Sequence, residues 1–331
     1  MRKLSSGQFL FVLAMTLSGS IGTSAAWGRV GHEIVMVNAV ELLTPELRSF
    51  FKGRKKRLNY YADVPDISWK TRESYPLEGG THYVNSEHFK LSPFDDKFPS
   101  EIAEARLLFV APVDKPKMTF EQNGTLPWRA KQFHTLLTES FERAGKQEAT
   151  RFDVETVRLR SGLLSHYIAD ASQPLHSTID HNGKLSGHEG IHSYLEGKIV
   201  GELAKNHKLR ESSLEVALSK NGSWARITDP ENPARLALNI LKDSNPLIAK
   251  IYELDDRYAI LQGKPLDLAT EALRRKPPAE VAPHFAKLLA ERLALSSSAL
   301  ARLIEHAWLK AGKPALTETL IHRPSFIPPV Y

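Results

Sequence analysis

The stretch DVETVRLRSGLLSHYIAD, residues 153–170, decides the fold class because its apolar residues recur at helical spacing. One face of the predicted helix would carry Val154, Val157, Leu163, Leu164, Tyr167 and Ile168. Two polar residues, His166 and Asp170, interrupt this pattern one turn apart. Pro174 then ends the helix, and His176 follows at once. The stretch therefore predicts a core helix whose ionisable side chains need a separate explanation.

Helical patterns continue along the rest of the chain from residue 27. Examples are HEIVMVNAVELL near the start of this region and EVAPHFAKLLAERLALSSSALARLIEHAWLKAG near its end. Residues 59–127 interrupt these patterns with prolines and glycine turns, which predicts a long loop region. The sequence shows neither an internal repeat nor a convincing series of alternating strands. It therefore predicts an all-α fold, a single domain of packed helices over residues 27–331.

The 331-residue chain has the composition of an ordinary globular protein, with 42% hydrophobic and 25% charged residues. It has a formal net charge of +6 and no cysteine. Because no disulfide can form, stability must come from the core or from bound metal. The mild positive charge suits a substrate that bears phosphate. The densest basic run, KGRKKR at residues 52–57, is expected to be a solvated loop, and no dedicated nucleic-acid-binding tract is found in the sequence.

The first 26 residues, 1–26, are organised like a secretory signal peptide. Arg2 and Lys3 form the basic start, FLFVLAMTL forms the apolar centre, and SAA provides the cleavage site. The apolar run is shorter than the ~20 residues that span a bilayer. We therefore expect a secreted or periplasmic protein that begins at Trp27 and has no transmembrane segment after cleavage. Its net charge would be +4, since two positive charges leave with the signal.

A segment of 31 residues holds two pairs of side chains that suit a metal ion. His166 and Asp170 lie four positions apart, as do His192 and Glu196, so each pair shares one face of a helix. One such pair alone is more often explained by a hydrogen-bonded core histidine. Two pairs with His176 between them indicate a dinuclear site, one of the multinuclear sites that helical bundles build. Imidazole and carboxylate ligands without thiolate suit zinc among other divalent metals.

Five motifs, in order along the chain, resemble those of one superfamily. They are WGRVGH, YYADVPD, THYVN, SHYIADASQPLH and GIHSYLE, all between residues 27 and 200. Together they resemble the zinc-dependent phospholipases C and the P-one/S-one type single-strand nucleases, although no motif is specific alone. The resemblance implies an all-α multi-helix bundle of the phospholipase C and P-one nuclease type, with a long loop region. It also implies three zinc ions and the hydrolysis of phosphoric ester bonds by a metal-bridging water.

The resemblance also implies a set of ligands for each ion. The first zinc would be bound by Asp63, His82, His166 and Asp170. The second would be bound by His176, His192 and Glu196. The third would be bound by the free amino group and carbonyl of Trp27, by His32 and by Asp170. Asp66 is an alternative to Asp63, and the third site requires that the signal be removed directly before Trp27.

The substrate stays open between a phospholipid head group and single-stranded nucleic acid. Glu196 resembles its phospholipase counterpart, whereas the compact WGRVGH opening resembles that of the nucleases. In a nuclease, Tyr83 would stack on a base and Asn85 would read its edge, although a half-buried aromatic explains Tyr83 equally well. Val64 stands where choline-binding enzymes have an aromatic residue. In either enzyme, Asp63 would also orient or deprotonate the attacking water.

The leading hypothesis is thus an exported zinc-dependent hydrolase of the phospholipase C type. The alternative enzyme is a P-one/S-one type nuclease or 3′-nucleotidase. The alternative of a different class is a catalytically inactive, metal-stabilised exported binding protein. No obligate protein partner is indicated. Of the other histidines, His134 is expected to be structural, whereas His181 and His188 flank the glycine-rich loop HNGKLSGHEG, residues 181–190, near the predicted site.

Overall fold

The computed structural model describes residues 27–73, 75–267 and 269–316. The predicted signal peptide, residues 1–26, lies outside this described part. The described residues form helices and loops with no β-strand, apart from isolated bridges between loop residues. The predicted all-α fold is confirmed. Among the described helices, none is both long and apolar enough to cross a membrane.

The helices of the described residues are numbered in chain order. The α-helices are α1 Gly28–Leu42, α2 Pro45–Lys52, α3 Lys55–Val64, α4 Ile102–Arg106, α5 Phe120–Asn123, α6 Leu126–Ala144, α7 Arg151–Ala171, α8 Ile191–Ser193, α9 Val200–Ala204, α10 Lys208–Lys220, α11 Pro233–Ser244, α12 Leu247–Leu254 and α13 Pro278–Lys310. Short 3₁₀ turns are formed by Glu78–His82, Ser86–His88 and Pro174–Ser177. Wider π-helical turns are formed by Pro65–Trp69, Tyr194–Ile199 and Asp255–Ala259. Such π-helical turns are frequent at functional sites.

Local sequence fixes both ends of α7. At its start the Thr150 hydroxyl accepts a hydrogen bond from the Asp153 N–H, and the Asp153 carboxylate accepts one from the Thr150 N–H. This reciprocal capping satisfies two backbone donors that the helix leaves unpaired. The helix ends at Ala171, shortly before Pro174, whose ring cannot continue a helix. The predicted helix is therefore present and slightly longer than the stretch that indicated it.

The central helix α7 is buried on almost every side, because it packs against α1, α3, α6 and α13. The sequence indicated one apolar face, but the structure also buries polar residues of this helix. The Arg158 guanidinium lies 3.8 Å from the centre of the Phe50 ring and donates to the Phe50 carbonyl oxygen at 3.1 Å. It also lies 3.2 Å from a Glu155 carboxylate oxygen. Internal partners thus replace the water that these groups would otherwise need.

The last helix, α13, is present where the sequence predicted a helix near the end of the chain. It packs against α1, α6, α7 and α10, and its apolar residues are fully buried at Phe285, Leu293 and Leu300. The predicted loop region is partly ordered by a second, small core of Phe98, Ala105, Phe120, Trp128, Ala234 and Leu238. The Trp128 indole N–H donates to the Ser100 carbonyl at 3.0 Å. This small core fixes the loop region to α6 and α11.

His134 in α6 is buried against α13. Its Nε2 lies 3.1 Å from Nδ1 of His306, and the two rings stack with their centres 5.1 Å apart. Burial, assisted by His306, lowers the pKa of His134 to about 3. The ring is therefore neutral at ordinary pH and can accept the hydrogen bond from His306. This geometry agrees with the structural role expected for His134.

Replacing His134 by Gln should make folding stability less sensitive to acid. The folded ring stays neutral down to about pH 3, whereas an unfolded chain protonates it below about pH 6.5. Its contribution to stability is thus complete above pH 6.5 and is lost as the pH falls towards 3. Between about pH 7.5 and about pH 5, the free energy of unfolding in urea should fall by about 2 kcal/mol more for wild type than for the variant. His284→Gln, at an exposed ring, should follow wild type; equal losses in all three proteins would contradict the prediction.

Candidate metal centre

Three adjoining groups of buried histidines and carboxylates lie around α7. The first group consists of Asp66, His82 and His166. His82 Nδ1 lies 2.9 Å from His166 Nε2, and an Asp66 oxygen lies 3.7 Å and 3.9 Å from these two nitrogens. The π-helical turn after α3, the 3₁₀ turn at residues 78–82 and the central helix each supply one member.

The second group consists of His176, His192 and Glu196. The two Nε2 atoms lie 3.3 Å apart, and the Glu196 carboxylate lies 2.8 Å from His192 and 3.6 Å from His176. His176 comes from the 3₁₀ turn after α7. The other two come from α8 and from the π-helical turn that continues it. The turn after Pro174 therefore brings His176 to a different group from the one that His166 joins, as the sequence suggested.

The third group consists of His32, His166 and Asp170. His32 in α1 places Nε2 3.6 Å from Asp170 Oδ1, and its ring stacks on that of His166 with centres 4.0 Å apart. Asp170 also connects the groups. Its Oδ2 lies 3.0 Å from His82 Nδ1, and its Oδ1 lies 3.9 Å from His176 Nδ1. A single carboxylate thus faces all three groups.

These residues fit zinc. Ligands on a tetrahedral zinc at ~2.1 Å lie about 3.4 Å from one another, close to the separations in each group. Asp170 Oδ1 is buried and accepts no hydrogen bond from any residue that the structure describes. Burial raises the pKa of Asp170 well above its usual value. Burial also lowers the pKa of His166 to about 3, so this imidazole is neutral at ordinary pH, the form that binds metal.

Hydrogen bonds behind the three groups orient the side chains. His166 Nδ1 lies 2.7 Å from the Ala62 carbonyl oxygen, which leaves Nε2 directed at the first and third groups. Gln173 donates from Nε2 to Glu196 Oε1 at 2.6 Å. Such outer partners normally fix the orientation of metal ligands. The sequence analysis did not single out Gln173, although its place within SHYIADASQPLH was the one available indication.

The first residues of α1 are packed tightly against the second group. The Trp27 indole is fully buried and donates to the Ala169 carbonyl at 2.6 Å, next to Asp170. Gly28 has φ +57°, and a Cβ there would lie 3.0 Å from the Glu196 carbonyl oxygen. A Cβ on Gly31 would lie 2.8 Å from the Cβ of Trp27. Both glycines of WGRVGH are thus required by close approach, which places Trp27 beside the site.

Of the two candidate carboxylates in YYADVPD, the structure brings Asp66 and not Asp63 into the first group. Asp63 lies 3.1 Å from Arg29 Nε, and burial, reinforced by Glu33, raises its pKa to about 7. The two aspartates lie three residues apart, on successive turns, so their spacing could not separate them. The helix widens at Pro65 into the π-helical turn that carries Asp66. The geometry therefore favours the alternative over the aspartate preferred from the sequence.

Tyr83 and Asn85 lie on the segment that follows His82. The Tyr83 hydroxyl donates to the Gln122 carbonyl in α5 at 3.0 Å. The Tyr83 ring is nearly parallel to that of His181, with an angle of 13° and ring centres 6.5 Å apart. His181 is in turn close to His192, with ring centres 5.9 Å apart. The segment of Tyr83 and the glycine-rich loop are therefore neighbours at the second group.

The glycine-rich loop is held by residues from the last third of the chain. Arg275 donates to both carboxylate oxygens of Asp255 at 2.7 Å, and it also donates to the backbone carbonyls of His188 and Glu189. The His188 ring completes this cluster, because its Nδ1 lies 3.0 Å from Asp255. Asp255 and Arg275 could not be predicted from the sequence. No motif marks them, and they lie more than sixty residues from the loop that they hold.

A second missed cluster lies behind His82. Arg129 in α6 donates to Glu78 at 2.6 Å, and the Tyr167 hydroxyl donates to the other Glu78 oxygen at 2.6 Å. All three side chains are buried. Because Glu78 begins the 3₁₀ turn that ends at His82, this cluster ties the position of His82 to α6 and α7.

The all-α fold and the three candidate groups are typical of a class of protein, the helical proteins that hold metal ions between their helices. A sequence model of the family described as zinc dependent phospholipase C matches residues 31–230, and the chain belongs to this family. A comparison with curated proteins gives no match. Membership, together with the three groups, supports a zinc-dependent hydrolase of phosphoester bonds. The matched residues include every ligand expected from the sequence except Trp27.

Replacing Arg129 by Leu should destabilise the fold by about 3 to 5 kcal/mol, because it leaves the buried Glu78 without its cation. Adding Glu78→Gln should recover part of this loss, since the amide needs no counter-charge and can still accept from Tyr167. Urea unfolding of the single and double variants measures both effects. Arg106→Leu, which removes the surface ion pair with Glu121, is the control and should cost less than about 1 kcal/mol. If Arg129→Leu lowers the free energy of unfolding no more than Arg106→Leu does, the prediction is wrong.

Proposed function

We propose that this chain is an exported phosphodiesterase of the phospholipase C type with three zinc ions. The observation that carries the proposal is the fully buried Asp170, whose two oxygens face three separate groups of histidines and carboxylates. One such group would suit a structural ion. Adjoining groups that share a carboxylate suit a catalytic cluster. Export rests on the signal peptide predicted from the sequence.

The proposed ligands follow the sequence expectation with one change. The first ion would be held by Asp66, His82, His166 and Asp170. The second would be held by His176, His192 and Glu196. The third would be held by His32, Asp170 and the amino group and carbonyl of Trp27. Support for the third site comes from the close packing of Gly28 and Gly31, which holds Trp27 beside Asp170.

Each protein group then has a defined part in the reaction. Zinc held by these residues would lower the pKa of a bound water molecule and would neutralise charge on the phosphate oxygens. Asp170 fixes the spacing between the groups, and Gln173 holds Glu196 in its orientation. The neutral imidazoles leave their nitrogen lone pairs available for metal. Asp63, expected from the sequence as the residue that handles the water, is proposed instead to orient Arg29, its partner at 3.1 Å.

Metal counting tests this assignment. Mature wild type should hold about three zinc ions per chain, measured by inductively coupled plasma mass spectrometry on dialysed protein. Asp170→Asn should lose about two of them and Asp66→Asn about one, because each removes an anionic ligand. Asp63→Asn is the matched control, three residues away, and should keep all three. Loss of an ion from the Asp63 variant, with full content in the Asp66 variant, would return the first-zinc role to Asp63.

The phospholipase form of the proposal is supported by the family and by Glu196, which lies four residues after His192. A second form, a single-strand nuclease or 3′-nucleotidase, is favoured by one observation. The rings of Tyr83 and His181 are nearly parallel, with centres 6.5 Å apart. This is about twice the ~3.4 Å rise between stacked bases. A flat base could thus stack on both rings, and Asn85, two residues after Tyr83, keeps its predicted role of contacting the edge of the base.

Parallel assays decide between the two substrates. Zinc-loaded mature protein should release the head group from phosphatidylcholine vesicles and leave single-stranded DNA intact. Tyr83→Ala and His181→Ala should change this lipid hydrolysis less than about threefold, because a head group need not stack between rings. DNA cleavage by wild type that falls more than about tenfold in both variants would replace the phospholipase by the nuclease.

A further inference from the structure

The two most exposed large apolar side chains of the described residues belong to the same short segment between α4 and α5. Leu107 and Val113 are 76% and 99% exposed, and Val110 between them in sequence is 46% exposed. Large exposed apolar surface on a soluble protein often marks a binding site, so three such side chains on one segment need an explanation. We call residues 107–118 the apolar loop. Nothing in the proposed catalytic chemistry uses it.

The tip of the apolar loop is held by its own backbone. The Lys115 N–H donates to the Pro112 carbonyl at 3.0 Å, and the Met118 N–H donates to the Lys115 carbonyl at 2.9 Å. Pro112 and Pro116 also restrict the backbone, because each ring fixes φ. Val113 is thus directed outward by a tight turn. Docking through this turn needs little further ordering, which lowers its entropic cost.

The apolar loop is fixed to the segment that carries the proposed substrate residues. The Val110 N–H donates to the His88 carbonyl at 2.9 Å, and Phe109 packs against the small core from inside. The loop then leads into α5, where the Gln122 carbonyl accepts the hydrogen bond from Tyr83. The backbone of the apolar loop is therefore joined to the segment that carries Tyr83, directly at Val110 and through α5 at Gln122.

Charge around the tip favours an anionic surface. Lys115 and Lys117 are exposed next to Val113, against the single acidic side chain of Asp114 within the apolar loop. An open cavity of about 640 Å³ beside the turn is lined by Lys115, Pro116, Lys117, Met118 and Gln122. Apolar side chains flanked by lysines suit a lipid surface. The former enter the boundary of the acyl chains, and the ammonium groups meet the lipid phosphates.

We infer that the apolar loop docks the protein on the surface of a phospholipid bilayer. Docking there would hold Tyr83 and the neighbouring metal centre close to the lipid head groups. The purpose of such docking, to bring lipid head groups to the site, rests on the phospholipase form of the proposed function. Docking itself requires no turnover.

Vesicle flotation tests the docking surface directly. The probe is vesicles of phosphatidylcholine and phosphatidylserine at a ratio of about 4:1, mixed with the mature, zinc-loaded chain on ice. Leu107→Ser combined with Val113→Ser should weaken vesicle binding at least about tenfold, since two large apolar groups lose their burial. Leu218→Ser is the matched control, because this leucine of α10 is 65% exposed and lies outside the apolar loop. It should bind vesicles as wild type does.

Three readouts separate docking from catalysis. Hydrolysis of the soluble diester bis(4-nitrophenyl) phosphate should be the same in wild type and the double variant. Failure of wild type to bind vesicles, or equal binding by the double variant, would overturn the inference. Self-association that only the double variant loses, with unchanged vesicle binding, would assign the surface to a second copy of the chain and also overturn it. Vesicle binding through the loop by a protein that cleaves only DNA would refute the phospholipase and leave docking established.

Discussion

One buried carboxylate, Asp170, is the constraint on which the rest of the structure depends. Its oxygens lie within 4 Å of ring nitrogens from His32, His82, His166 and His176. An isolated carboxylate without water or a cation is costly, and the raised pKa of Asp170 expresses this cost. Neutral imidazoles cannot compensate its charge. A cation bound among these groups, as proposed, would supply the charge that Asp170 lacks.

The fold meets this constraint with one rigid, buried helix and several irregular turns around it. Two of the proposed ligands, Asp170 and His166, lie on α7, the helix that the bundle surrounds and that Arg158 supports from within. The other proposed ligands lie where helices begin, end or widen, as in the π-helical turns at residues 65–69 and 194–199. Such irregular turns can place a side chain where a regular helix would not. A site held to within a few tenths of an ångström needs both kinds of support.

The periodicity and spacing of the sequence predicted those features of the structure that depend on local sequence alone. The apolar pattern of α7 and the four-residue pairs on helices follow from helix geometry alone, and both were found. The choice between Asp63 and Asp66 depends on a local widening of the helix, for which the sequence carries no pattern. The pair of Glu78 and Arg129 depends on packing between distant segments. Each residue is an isolated polar residue in the sequence, so the sequence did not predict their contact. The position of His32 beside α7 was predicted only from the resemblance to the superfamily.

The chain contains no cysteine, and the ligand groups join residues that lie far apart in sequence. His82 and His166 are separated by more than eighty residues, and His32 is more than a hundred residues from Asp170. A cation bound between such residues closes long loops, just as a disulfide would. Metal in this protein would then act as a cross-link as well as a reagent. Its removal would loosen several segments together, and the protein, which has no disulfides, would depend on its metal supply for resistance to proteolysis.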